Sequence, residues 1–123
     1  MGSRICVIAI DAADAEAVAA FWSRVLDWPI VEEAEDGFSL APHTGADLGV
    51  DVFAVPERKS IKNRLHLDLR VTDGLTVAQE LERLLGLGAV QVDVGQPEDA
   101  RWTVLADPEG NEFCLLHGQD ASS

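Results

Sequence analysis

The sequence predicts an α+β fold of two tandem βαβββ modules forming a curved mixed sheet around a central cavity. Three observations carry this prediction. Hydrophobic periodicity reads as strand, helix and three strands, and the same series returns after a basic segment. The two helical stretches each follow an aspartate able to cap them, Asp14 and Asp73. Length and composition fit a single domain, with 123 residues, 47% apolar and 25% charged.

Each element follows from its residues. Arg4 to Asp11 is short and rich in β-branched side chains, which suits a buried strand. After Asp14, the residues Val18, Phe21, Trp22, Val25 and Leu26 recur at helical spacing and form one apolar face. Trp28 and Pro29 end that helix. Strands are expected at Ile30–Glu33, Phe38–Ala41 and Leu48–Val55, separated by turn residues at 35–37 and 42–47. Beyond the polar stretch Pro56 to Arg64, a fifth strand is expected over Leu65–Val71. Asp73 or Thr76 caps a second helix with the core face Val77, Leu81, Leu84 and Leu85, and Gly86 and Gly88 stop it. The last strands are expected at Ala89–Val94, Trp102–Ala106 and Glu112–His117. Asp107-Pro108-Glu109-Gly110 has the preferences of a type I turn and makes a hairpin of the last pair.

The halves align residue by residue in places. Asp14 matches Asp73 and Leu26 matches Leu85 at one offset, and Phe53 matches Phe113 one residue further on. Module one is expected over about residues 4–56, a basic linker over 57–63 and module two over about 64–118. Each half is a small sheet with a helix on one face. Side by side, their other faces curve around the cavity.

Charge removes two function classes. Nine basic residues against 22 acidic ones give a net charge of −13, a field that repels phosphate backbones and anionic lipid. No nucleic-acid partner and no membrane partner are therefore expected, and no apolar run approaches the roughly 18 residues of a membrane span. Met1 to Arg4 leads into the first strand without a signal-peptide layout, and the two cysteines, Cys6 and Cys114, make no disulfide framework. Alternation puts these cysteines on opposite sheet faces. A reducing, cytoplasmic setting is expected. Common catalytic signatures are missing: no Cys-x-x-Cys, no His-Glu-x-x-His, no Gly-x-Ser-x-Gly and no P-loop.

The layout resembles the vicinal oxygen chelate superfamily, which includes glyoxalase I, extradiol dioxygenases and bleomycin-resistance proteins. Within it, the chain is most similar to small glyoxalase-like domains of the actinobacterial type. Three stretches carry the likeness: Asp14 with Phe21 and Trp22, the run from Val55 through His66 to Asp68, and the run from Trp102 to Phe113. It covers about residues 4 to 117. Because this fold hosts many chemistries, the resemblance implies an architecture more firmly than an activity.

Strand alternation then sorts the cavity. In the fifth strand Leu65, Leu67 and Leu69 suit packing under a helix, and His66, Asp68 and Arg70 suit the cavity. In the last strand Glu112, Cys114 and Leu116 share the face opposite Phe113 and Leu115. The resemblance implies up to four metal ligands, one on the first and last strand of each half, and His66 and Glu112 match the two of the second half. Their first-half counterparts are expected to be Val7 and Val52, which offer no donor atom, and neighbouring Ala9, Val50 and Ala54 offer none either. Asp68 lies two residues along the strand from His66, roughly 7 Å at Cα by strand rise, and is not expected to share its ion.

The expected ligand-binding set is Val7, Val52, Ala54, His66, Asp68, Arg70, Trp102, Glu112 and Cys114. His66 and Glu112 are the catalytic candidates and also an incomplete pair of metal ligands. Each has a plainer reading: His66 as a hydrogen-bonded cavity histidine, Glu112 as the partner of Arg70 or Arg101, and Cys114 as a small buried hydrophobe. Arg58, Lys59, Lys62 and Arg64 form either an anion-binding loop at the cavity mouth or a solvated linker. His43 and His117 are expected to be exposed. Two function classes follow. In the first, the chain binds a small organic, partly aromatic or apolar molecule without a tightly held metal. In the second, it is a lyase, isomerase or dioxygenase using Zn, Ni, Mn or Fe on His66 and Glu112, so catalysis stays open. A homodimer is the expected oligomeric state.

Overall fold

The computed structural model describes residues 2–44, 48–93, 95 and 97–118. They fall into two compact units, Met1–Lys59 and Ser60–Ser123, called module one and module two below. Module one runs β1 (Val7–Ala12), α1 (Ala15–Leu26), β2 (Ile30–Ala34), β3 (Gly37–Leu40) and β4 (Gly49–Ala54). Module two runs β5 (Leu67–Arg70), α2 (Val77–Gly86), β6 (Val90–Gln91), β7 (Trp102–Ala106) and β8 (Glu112–Leu116). Each module is one four-stranded sheet, ordered β1-β4-β3-β2 and β5-β8-β7-β6. In both, the first strand pairs parallel with the last and the other pairs are antiparallel, so the sheets are mixed. The fold is α+β with two tandem βαβββ modules, as the periodicity predicts.

In module one the Asp14 carboxylate accepts from the Ala17 amide at 3.1 Å and so caps α1. The helix ends at Asp27, held in the left-handed region at φ 57°, with the Trp28 amide bonded to the Ser23 carbonyl. Its apolar face buries Ala15, Val18, Ala19, Phe21, Trp22 and Val25. Phe21 and Trp22 meet edge to face at 5.2 Å between ring centroids. The sheet answers with Leu40, Val50 and Val52, all buried. Gly37 permits the close β3–β4 approach, because a Cβ there would collide with the Val52 carbonyl.

In module two Thr76, and not Asp73, caps α2. Its hydroxyl accepts from the Gln79 amide and the Gln79 side chain accepts from the Thr76 amide, a complete capping box. Asp73 instead stands in the preceding turn at φ 60°. Past Gly86, Gly88 adopts φ 115°, and the amides of Gly88 and Ala89 reach back to the carbonyls of Leu85 and Leu84. The buried face of α2 is narrower than the expected one. Leu84 is fully buried, while Leu85 is 40% exposed. Glu80 is the helix's other buried residue, and both its oxygens take Arg83 guanidinium bonds of 2.8 Å. The carboxylate is tolerated because it is paired.

The β7–β8 hairpin turns on Asp107. The Gly110 amide donates to the Asp107 carbonyl at 2.8 Å, the bond of a tight turn. The buried Asp107 carboxylate accepts from the amides of Glu109 and Asn111 and from Asn111 Nδ2. This clamp delivers Glu112 to the first position of β8. Three strand expectations change. The first strand begins at Val7 and not Arg4, and it alternates exposed with half-buried residues instead of being buried. Leu65 precedes the β5 ladder, which opens with Leu67 opposite Phe113, and is 86% exposed instead of lying under a helix. The sixth strand shortens to Val90–Gln91, and Val94 lies outside the described residues. Among the described residues, no helix is long and apolar enough to cross a membrane.

Candidate functional site

The face of the module-two sheet turned away from its packed leucines carries a cavity of about 400 Å³. Register explains its lining. Asp68 stands opposite Cys114, Val104 opposite Cys114 on the other side, and Trp102 opposite Leu116, so all point to one face. Leu67, Leu69, Phe113 and Leu115 take the reverse face. His66 and Glu112 extend the first set by the same alternation, and Lys62 and Gly95 complete the wall. One side is therefore apolar (Trp102, Val104, Leu116) and the other polar (Lys62, His66, Asp68, Glu112).

The polar side is tied together. His66 Nδ1 lies 2.9 Å from Asp68 Oδ1; an ionised carboxylate only accepts, so the ring donates from that nitrogen. Strand rise separates the two Cα atoms but not the side-chain tips, which converge, contrary to expectation. Cys114 Sγ lies 3.9 Å from the same Nδ1. His66, Asp68 and Cys114 each offer one ligand atom within 4.8 Å of the others. Glu112 is not one of the three. Its Oε1 accepts from the Asn63 amide at 2.9 Å, which fastens the basic segment to β8.

Burial pushes the Cys114 thiol above its ordinary pKa, the Asp68 charge and hydrogen bond push the same way, and Lys62 pulls back. Cys114 is accordingly a neutral thiol near pH 7 and a poor nucleophile. A Cys-His-Asp relay also needs thiol and carboxylate on different ring nitrogens, and here both face Nδ1. The arrangement suits hydrogen bonding and ion coordination better than covalent attack.

Several expected lining residues stand elsewhere. β1 pairs in parallel with β4 so that Val7 faces Gly49, Ala9 faces Asp51 and Ile10 faces Val52. Val7 and Ala9 therefore share a face with Asp51 and Phe53, while Val52 is fully buried on the α1 side with Val50. Ala54 has the parity of Val52. The expected apolar wall of Val7, Ala9, Val52 and Ala54 is not one surface: with Val7 set against His66, the ladders put Val50 and not Phe53 level with Phe113, so matching those phenylalanines misplaces β4 by three residues. The open face of module one carries the carboxylate Asp51 where a valine was expected. Arg70 donates to the Gly118 carbonyl at 3.2 Å, past the end of β8, and does not line the cavity. His117 is half-buried, its Nε2 2.6 Å from Thr103 Oγ1, because the β7 register continues to Arg101. Cys6 is exposed, Cys114 is buried, and both are free.

Leu116 stands on the face of Glu112 and Cys114 as alternation predicts, and the same alternation from Trp102 marks Val104, which is not among the expected lining residues. Lys62 was visible only as one of four clustered cations. No local pattern marks Asn63 or Gly95. Of the ligand pattern that the resemblance implies, His66 and Glu112 line the cavity and Asp51 stands on the open face of β4, whereas the β1 positions Val7 and Ala9 offer no donor. The residues present do not fit that pattern.

A family model described as a glyoxalase-like domain matches residues 7–116. No curated protein sequence matches the chain. Among solved structures, the fosfomycin resistance protein FosX from Listeria monocytogenes, complexed with Mn(II) and sulfate ion, superposes with a TM-score of 0.75. It is 16% identical, over 98% of this chain and 94% of that one. TnmS3, an antibiotic-binding protein from a Streptomyces species, is 19% identical over 97% of this chain and 99% of its own, with a TM-score of 0.60. A glyoxalase-related enzyme from Fulvimarina pelagi is 19% identical over 93% and 87%, with a TM-score of 0.69. At such identities the likeness is one of fold.

Proposed function

The chain belongs to the glyoxalase-like domain family, and within it we propose that module two binds a small organic molecule with a flat apolar part and a polar group. The observation that carries this is the two-sided cavity, apolar at Trp102, Val104 and Leu116 and polar at Lys62, His66, Asp68 and Glu112. An apolar wall with a few convergent polar groups is the usual design of a small-molecule site. Trp102 offers an indole for stacking, and His66 and Asp68 offer an oriented hydrogen-bonding pair. TnmS3 supports the reading, being an antibiotic-binding protein of the same fold. Binding of this kind needs no metal held by His66 and Glu112.

The test is calorimetric titration of the purified chain with a panel of flat aromatic acids and phenols, repeated on Trp102→Ala and His66→Ala. Saturable binding weakened in both variants is expected. Binding indifferent to both would sink the reading. The FosX complexes with Mn(II) favour a second reading, a metal-dependent lyase, isomerase or dioxygenase using His66 and Glu112. Turnover of a substrate that requires added Mn²⁺ and both side chains would establish it. The two free thiols accord with a cytoplasmic compartment. The reading also includes a homodimer, to be checked by sedimentation.

A further inference from the structure

The side chains that converge in module two are not the pair that the fold family suggests. His66, Asp68 and Cys114 bring an imidazole nitrogen, a carboxylate oxygen and a thiol sulfur within 4.8 Å of one another. We propose that these three hold a thiophilic divalent cation of the zinc type, in a site belonging to module two alone, with a fourth position open to the cavity.

Geometry supports this first. Tetrahedral Zn²⁺ with bonds of about 2.0–2.3 Å puts its ligand atoms about 3.3–3.6 Å apart. His66 Nδ1 stands 2.9 Å from the Asp68 oxygen and 3.9 Å from Cys114 Sγ, so the separations straddle the required range. All three donor atoms lie within 4.8 Å of one another, so an ion has to draw the sulfur inward by about 1 Å or less. The backbone holds the donors in place: Asp68 and Cys114 are direct partners in the parallel β5–β8 ladder, and His66 is two residues before Asp68 on the same face. Cys114 also lines the cavity, which supplies an entry path.

Donor chemistry then selects the ion. Mixed nitrogen, oxygen and sulfur ligation favours Zn²⁺ or Co²⁺, whereas Mn²⁺ prefers oxygen-rich sets. On binding, the thiol proton leaves to solvent, and the proton on Nδ1 moves to Nε2 so that Nδ1 can ligate. Three protein ligands leave room for an oxygen of a bound molecule, as in open zinc sites. The inference deepens the ligand-binding reading of the same cavity, yet its test uses the metal alone, so either can fail without the other.

The probe is Co²⁺, titrated into the full chain carrying Cys6→Ser so that one thiol remains. One equivalent should bind with a thiolate-to-cobalt charge-transfer band in the near ultraviolet, and Zn²⁺ should displace it. Cys114→Ser should abolish the band and weaken Zn²⁺ by at least about 100-fold, beyond the usual cost of losing an outer-shell partner. Asp68→Asn, an isosteric change at an exposed side chain, should weaken it by at least about tenfold with the unfolding midpoint checked alongside. Absence of stoichiometric binding would overturn the proposal. So would binding that survives Cys114→Ser but is lost in Glu112→Gln, which would move the ion to the other pair.

Discussion

In module one six residues of α1 lie buried against the sheet, among them the Phe21–Trp22 edge-to-face pair; in module two only Glu80 and Leu84 of the ten-residue α2 do. The open sheet faces show the reverse. That of module one carries Val7, Ala9, Asp51 and Phe53, whereas that of module two gathers His66, Asp68, Cys114, Glu112 and Trp102 around one cavity. Of the two copies of one architecture, the first has the more deeply packed helix and the second the candidate site. Polar side chains on a sheet face need not reduce stability when each has a partner, and here a hydrogen bond ties His66 to Asp68 and another ties Glu112 to the linker.

The largest test of this contrast is Trp22→Ala, which empties the core of module one and should cost about 3–5 kcal/mol in urea unfolding. The same truncation at Leu85, 40% exposed on α2, should cost well under half as much. A similar loss at both would break the comparison. Gly37→Ala forces a methyl onto the Val52 carbonyl and should destabilise by about 1–3 kcal/mol, seen as a lowered Tm. Trp102→Ala should weaken aromatic ligands about tenfold, worth about 1.4 kcal/mol, while leaving the unfolding midpoint almost in place. Thr76→Ala removes half of the α2 capping box and should cost about 1 kcal/mol.

The smallest effect is chemical. Because burial and then Asp68 raise the Cys114 pKa, its alkylation should lag behind that of exposed Cys6 at pH 8. Its rate should climb only at higher pH. The folded-state value lies above the unfolded one, so the associated stability is present at neutral pH and is lost as pH rises through the folded value. Asp68→Asn should shift the alkylation profile toward lower pH; mass spectrometry of the two peptides reads this directly.

Much of the fold was legible because its signals are local. Asp14 as a cap, the helical recurrence from Val18 to Val25, Trp102–Ala106 as a strand and the Asp107–Gly110 turn depend on residues only a few positions apart. The alternation that assigned His66, Asp68, Glu112 and Cys114 to one face is equally local, and it held because each strand was read from its own sequence. It failed where a register had to be carried between strands. Setting Phe53 against Phe113 moves β4 by three residues, and a period of two turns any odd slip into a change of face. Val52 thereby looked like a wall of the cavity, and Asp51 was hidden.

By itself, then, the sequence determined the α+β class, the repeated element order, the acidic surface that disfavours polyanions, and the candidate residues of β5 and β8. Tertiary structure alone decided which of those side chains meet. The β5–β8 pairing sets Asp68 opposite Cys114 and brings His66 onto both, while the Asn63 amide occupies Glu112. The β5–β8 ladder joins residues 46 positions apart in the chain, and no periodicity within a strand encodes which partner lies across the ladder.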